Sequence, residues 1–300
     1  MELSKIATEQ RNDKTMHIDQ LPTLEMIKLI NEEDKKVAFA VEKEAVHIAE
    51  AVDLIAEKLQ AGGRLIYMGC GTSGRLGILD AAECPPTYSA DPEQVIGLIA
   101  GGTDAVFKAV EGAEDDKELG EKDLKQIRLS ARDVVVGIAA SGRTPYVIGG
   151  MEYAKKIGCK VVGLTCCAES DIDALADIGI APMPGPEVVT GSTRMKSGTA
   201  EKMVLNMLST GAMIKLGKVY GNLMVDVRPS NEKLVNRCVS IVKSATGKPE
   251  KEVVAALEQC GYQPKTAIVM ILSGVDVKNA KKALDEAGGH VSGAIHTEMT

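Results

Sequence analysis

Tryptophan is absent from the 300 residues, phenylalanine occurs twice and tyrosine six times. Surfaces that stack nucleobases, or that floor a pyranose ring with aromatics, have almost nothing to be built from. Positive charge is short as well. Lys and Arg number 35 against 42 Asp and Glu, a formal charge of -7, which is the opposite of the basic stripe that nucleic-acid binding needs. No run of about 18 apolar residues occurs, and the segment from Met1 to Gln10 carries charge where a signal peptide would be apolar. A cytoplasmic, soluble protein is expected, with neither a membrane nor a nucleic acid as partner. The seven cysteines are odd in number and lack C-x-x-C spacing, and the four histidines are scattered. Both a disulfide framework and a metal site are therefore disfavoured. Cys70 and the Cys166-Cys167 pair end apolar runs, where a thiol serves as a small buried hydrophobe.

What is present is ordinary globular material, 45% apolar. Residues 20 to 60 carry apolar side chains at three- and four-residue spacing until "AGG" closes the pattern, the mark of helix. His47 falls within it and reads as a packed or surface helix residue. Short continuous apolar runs then alternate with helical stretches: "RLIYMG" (64–69), "QVIGLIAGG" (94–102), "DVVVGIAASG" (133–142), "KVVGLTCC" (160–167) and "IGIAPMPG" (178–185). Runs without polar alternation indicate strands buried on both faces, and helices between them indicate a parallel sheet. The fold class is α/β: a five-stranded, parallel, doubly wound sheet over 55–230, N-terminal helices over 1–54 and a small helical C-terminal domain over 231–300. A long helix after Pro186 is expected to cover the sheet. Pro249 and Pro264 sit where first-turn prolines belong, and Gly261, Gly274 and Gly288 where helices stop.

The first strand leads into G-x-G-x-x-G at Gly69, Gly71 and Gly74. A dinucleotide site would need an acid at the tip of the second strand for the ribose. That strand ends in Ala100-Gly101-Gly102-Thr103, and no G-x-x-x-x-G-K-[ST] occurs elsewhere. What the loop offers is Thr72 and Ser73 beside backbone N–H groups at a helix start, an anion site of one phosphate's size. The loop after the third strand repeats the chemistry with Ser141, Gly142, Arg143 and Thr144 ahead of Pro145. In a sheet ordered 2-1-3-4-5 these two loops face one another at the topological switch point. A serine there also serves simply to cap its helix. The stretch "GSTRMKSGT" (191–199) supplies a third helix start rich in hydroxyls.

Paired Ser/Thr loops after strands one and three resemble the SIS (sugar isomerase) domain, which binds phosphosugars. The resemblance extends to the N-acetylmuramic acid 6-phosphate etherase family. It runs through "GCGTSGRLGILDAAECPPTY" (69–88), "GLIAGG" (97–102), "AVEGAEDD" (109–116), "GIAASGRTPYV" (137–147), "TGSTRMKSGTA" (190–200), "NLMVDVRPSN" (222–231) and the helical tail. It implies a lyase without cofactor that removes the D-lactyl ether from C3 of N-acetylmuramic acid 6-phosphate. It places the two catalytic acids at Glu83 and Glu114, whereas the composition around Glu114 alone reads as a solvated helix face. It also implies a homodimer, since SIS relatives commonly pair with residues crossing between chains, and it likens the tail to a three-helix ubiquitin-associated bundle. The phosphate is expected on Ser73, Ser141 and Thr144, assisted by Thr72 and the N–H groups of Gly74 and Gly142. Ser192, Thr193 and Lys196 are expected at the sugar or lactyl end, Lys196 or Arg194 for the lactyl carboxylate; alternatively either cation simply solvates the loop or pairs with Glu187. Glu83 is expected to be desolvated at the end of a helix that Pro85 terminates. Two rival readings remain: an aldose-ketose phosphosugar isomerase, which needs no second acid, and a non-catalytic sugar-phosphate sensor. A DNA-binding sensor fits poorly, because residues 1–56 hold 7 Lys or Arg against 12 Asp or Glu.

Overall fold

A computed structural model describes residues 7–227, 229 and 231–297, so Arg228 and Ser230 of the NLMVDVRPSN stretch lie outside it. The helical region 20–60 is three helices: α1 (Thr23–Asp34), α2 (Lys36–Glu42) and α3 (Ala45–Gln60). At the first break Lys35 keeps near-helical angles (φ -56°, ψ -24°), so no Gly or Pro marks it in the sequence. His47 is exposed on α3 and hydrogen-bonds Glu44 at 2.8 Å.

Five parallel strands follow: β1 (Leu65–Gly69), β2 (Val95–Ile99), β3 (Val134–Ile138), β4 (Lys160–Leu164) and β5 (Ile178–Ile180). They are ordered β2-β1-β3-β4-β5, as the sequence led one to expect. Every residue of β1 and β3 is buried, which is why these strands read as unbroken apolar runs. The connections carry α4 (Gly71–Tyr88), α5 (Asp104–Phe107), α6 (Lys117–Gln126), α7 (Pro145–Lys156) and α8 (Asp171–Leu175). Side chains of α7, among them Tyr146, Val147 and Met151, pack with Ile66, Met68, Val135 and Val161 from the strands into one core. Where the strands begin, Arg64 clamps the β1 and β3 edges: its N–H, Nε and guanidinium all donate to Asp133 at 2.8–3.2 Å. Where they end, Gly69 lies in register with Ile138, so the loops leading to α4 and α7 are neighbours.

The long helix α9 (Lys196–Lys215) precedes a hairpin of β6 (Val219–Tyr220) and β7 (Leu223–Met224) that the sequence did not announce. The tail folds into α10 (Glu232–Thr246), α11 (Glu250–Gln259), α12 (Pro264–Ser273), α13 (Val277–Glu286) and α14 (Val291–Thr297). Cys238, Val242, Val253, Leu257 and Ile268 form its separate core.

Compactness divides the chain differently from the expected boundaries. The first unit takes in residues 1–82 and 93–209, N-terminal helices included; the second takes in 83–92 and 210–300. Helix α4 runs through Pro85 and Pro86 to Tyr88 instead of ending before them. Proline's fixed φ of about -65° is itself helical, and only N–H donors are lost in what is here the last turn. The tip is secured in the second unit, where Tyr88 Oη donates to Thr210 Oγ1 at 3.3 Å and Ser89 donates to the Asp226 carbonyl. All seven cysteines are free, and all but Cys70 are buried. Among the described residues no helix is long and apolar enough to cross a membrane.

Candidate active site

At the C-terminal ends of β1 and β3 the first unit holds a cleft of about 360 Å³. One wall is the β1–α4 corner, Cys70 to Ser73, and the other is the β3–α7 corner, with Ser141 and Thr144. Glu114, Thr193 and Glu9 complete it. Among the described residues no Lys or Arg lines it, so what the cleft offers an anion is hydroxyls, backbone N–H groups and helix dipoles. The first N–H groups of an α-helix have no partner inside it; those of Gly71, Thr72 and Ser73 open α4 at the cleft wall.

Glu114 sits in a turn before α6, exposed, instead of on a helix face. Its position is fixed by its backbone: the Tyr146 N–H, in the first turn of α7, donates to the Glu114 carbonyl at 3.1 Å. Tyr146 is itself fully buried, with its hydroxyl donating to Asp123 Oδ2 at 2.8 Å. The carboxyl is thereby brought beside the hydroxyl corners, near Cys70, whose thiol is pushed up to about 12 by burial first and by the Glu114 charge second.

The hydroxyls differ in what they already bind. Thr144 is the N-cap residue of α7, yet its side chain makes no capping bond. Ser73 is only 8% exposed, and its Oγ lies 2.9 and 3.0 Å from the two carboxyl oxygens of Glu201 on α9. Glu201 is fully buried, and that burial, against the opposing hydrogen bond from Ser73, lifts its carboxyl to about 8. Nothing in the sequence singled Glu201 out, because one acid inside a long amphipathic helix looks like any surface position.

Several expected residues have other duties. The Gly74 N–H donates to the Cys70 carbonyl at 3.2 Å and the Gly142 N–H to the Ala139 carbonyl at 2.8 Å, so neither is free for phosphate. Both glycines serve space instead. A Cβ at Gly74 would lie 2.6 Å from Ile99 Cγ1 and 2.7 Å from the Gly69 carbonyl oxygen, and one at Gly142 (φ +67°) would collide with Ser170. Ser192 is not part of the cleft lining, whereas its neighbour Thr193 is. Lys196 is 1% exposed, and its Nζ donates to Glu33 Oε2 at 2.9 Å and to the Pro184 carbonyl at 3.1 Å. It lines a separate groove. Burial alone would raise Glu33, but hydrogen bonds from Lys36, Lys196 and Asn12 bring it down to about 2.

The third helix start is already filled. Glu187, fully buried, accepts the N–H groups of Lys196 and Ser197 and the Ser197 hydroxyl, each at 2.9 Å, and so caps α9 with its own carboxylate. Glu83 falls in the second compact unit, exposed instead of desolvated, and is not among the residues lining the cleft. Among the described residues no group of three or more His, Cys, Asp or Glu is placed to hold a metal ion.

Two family models match the chain: the glucokinase regulatory protein N-terminal SIS domain over residues 47–155 and the SIS domain over residues 119–211. Similarity to curated proteins runs nearly end to end. The N-acetylmuramic acid 6-phosphate etherase of Clostridium botulinum (strain Langeland) is 59% identical over 293 residues, 98% of this chain and 97% of that protein. N-acetylmuramic acid 6-phosphate etherase 1 of Vibrio cholerae is 57% identical over 298 residues, 99% of each. The etherase of Clostridium beijerinckii is 56% identical over 295 residues, 98% of this chain and 97% of that protein.

Proposed function

The chain belongs to the N-acetylmuramic acid 6-phosphate etherase family, and on that premise we propose that its cleft seats the substrate's 6-phosphate between the two hydroxyl corners while Glu114 works at C2. The enzyme is a carbon–oxygen lyase of peptidoglycan recycling that converts N-acetylmuramic acid 6-phosphate to N-acetylglucosamine 6-phosphate, releasing D-lactate.

An ether is a poor leaving group until the adjacent carbon can carry charge. In the open-chain sugar the C2 proton is α to the C1 aldehyde and the C3 ether is β to it, so removing that proton opens a path to elimination. Glu114 takes the C2 proton, a second carboxylic acid protonates the departing lactyl oxygen, and water then adds at C3 of the enal. The observation that carries this reading is that Glu114 opens into the same cleft as Thr72, Ser73, Ser141 and Thr144. The phosphate rests on those hydroxyls and on the first N–H groups of α4. Thr193 and Glu9 contact the sugar beyond the phosphate.

Glu83 is the second acid in this scheme. Its exposed carboxyl serves the cleft of a partner copy in a homodimer. Mixing inactive Glu83→Ala and Glu114→Ala proteins then gives hybrid dimers with one intact site, recovering up to about a quarter of wild-type activity. No recovery, with subunit exchange verified, assigns Glu83 to its own chain's cleft. The reaction itself is tested by D-lactate release from N-acetylmuramic acid 6-phosphate by the purified protein with chelator present. Release is expected; its absence defeats the proposal.

A further inference from the structure

The carboxyl of Glu201 has no place in the elimination, yet it is 1% exposed, and among the described residues its one hydrogen-bond partner is the hydroxyl of a cleft residue. A serine hydroxyl carries a single hydrogen, and an ionised carboxylate only accepts. A phosphate dianion also only accepts. When Glu201 is ionised, Ser73 must turn its hydrogen inward and face the phosphate with lone pairs, above a buried negative charge. When Glu201 is protonated, the carboxylic acid donates to Ser73 Oγ and the Ser73 hydrogen is free to point into the cleft.

Resting on the phosphosugar reading above, we propose that Glu201 is a positioning residue that sets the Ser73 hydroxyl as a phosphate donor while it holds a proton, and withdraws that donor when it ionises. The surroundings keep the proton in place at neutral pH. Among the described residues only burial and the Ser73 hydrogen bond act on the carboxyl, and no cation there offsets it. Cys166, after β4, is the titratable group facing it, and burial first, then the Glu201 charge, hold that thiol well above its ordinary range, hence neutral. Glu187, whose charge also bears on Cys166, is engaged as an acceptor from Ser197 at the start of α9. The carboxyl of Glu201 itself is raised to about 8, so the donor form prevails at pH 7 and is lost in mild alkali.

The experiment is calorimetric binding of N-acetylglucosamine 6-phosphate from about pH 7 to about pH 9.5, where a phosphate monoester, with its second pKa near 6, is already dianionic. Wild-type Kd should rise by up to about tenfold per pH unit above about 8. In Glu201→Gln the amide NH2 donates to Ser73 at every pH, so Kd should stay flat across the range. In Ser73→Ala, with Glu201 intact, binding at pH 7 should weaken by about 10- to 100-fold, and the slope should vanish. A purely structural Glu201 would lower the melting temperature of the Gln variant while leaving the slope untouched. A flat wild-type profile overturns the proposal, and so does a wild-type slope surviving in either variant. Should Glu201→Gln not fold, the Ser73→Ala profile decides alone. Wild-type protein that binds no sugar phosphate at any pH defeats the phosphosugar reading instead.

Discussion

The corner after β1 and the corner after β3 look alike on paper, "CGTSG" and "ASGRT", but they are built differently. At the β3–α7 corner Thr144 makes no capping bond and stands ready for a ligand. At the β1–α4 corner Ser73 is buried against Glu201, so its donor is conditional on a proton beneath it. The start of α9, which repeats the hydroxyl-rich pattern, is closed altogether by Glu187. A hydroxyl at a helix N-terminus thus marks where an anion can sit, and the residue beneath it decides whether one does.

The comparison is broken most severely at the chemistry the two corners serve. Glu114→Ala should lower kcat for lactate release by about 100- to 10,000-fold, roughly 3 to 5 kcal/mol, while N-acetylglucosamine 6-phosphate still binds through both corners. Binding lost together with activity would mean that the corners do not hold the phosphate by themselves.

Next in size is Lys196→Met, which asks whether the α9 start belongs to the site at all. Breaking a buried pair costs about 3 kcal/mol here, at the low end because Lys36 and Asn12 remain on Glu33. Stability should fall while KM stays put; a raised KM with unchanged stability would return Lys196 to the ligand. The pH dependence has a definite sign. Glu33 is lowered to about 2, so the stability it contributes is complete above its unfolded value near 4.5 and is lost as pH falls through 2. Lys196→Met should bring acid unfolding to higher pH.

Ser73→Ala and Ser141→Ala sharpen the contrast between the corners. Each should weaken phosphosugar binding by about 1.5 to 3 kcal/mol, as bonds to charged groups do. Only Ser73→Ala should also destabilise the fold, because it leaves the buried Glu201 carboxyl without a partner. Equal stability in the two variants would erase the distinction.

Smallest at any single step is a slope of at most about 1.4 kcal/mol per pH unit. Because Glu201 is raised to about 8, the unfolded chain releases its proton first, and stability should decline as pH rises from about 4.5 to 8, then level off. Asp80, raised to about 6 by burial despite hydrogen bonds from Tyr67 and Ser209, adds a similar decline at lower pH, up to about 6. Thermal melts of Glu201→Gln against wild type across this range isolate the first contribution, and identical slopes would contradict it.

The sheet was legible because β1 and β3 are buried on both faces and so announce themselves as unbroken apolar runs. The doubly wound order 2-1-3-4-5, from which the pairing of the two hydroxyl loops follows, is the order the sheet has. The cleft lining was legible where two strand-to-helix loops supply it, at Thr72, Ser73, Ser141 and Thr144. It was illegible where position depends on distant contacts. Glu201 comes from 128 residues beyond Ser73, and Glu9 reaches the cleft from the N-terminal segment. Lys196 reads as a ligand for the lactyl carboxylate or a partner of nearby Glu187, whereas the acid that pairs with it, Glu33, lies 163 residues away. The glycines misled in another way: the spacing of Gly74 and Gly142 suggests phosphate-facing N–H groups, but close packing against Ile99 and Ser170 is what requires them.

In the proposed mechanism Glu114 is the base at C2 and Glu83 the acid at the lactyl oxygen. The product keeps the same α-proton as the substrate, so a C2 base must exchange it with solvent whether or not elimination can proceed. Proton NMR of N-acetylglucosamine 6-phosphate in deuterium oxide reads that exchange directly. Glu83→Ala should lose lactate release but keep exchange, and Glu114→Ala should lose both. Exchange that survives in Glu114→Ala and vanishes in Glu83→Ala would contradict the account and reverse the two roles.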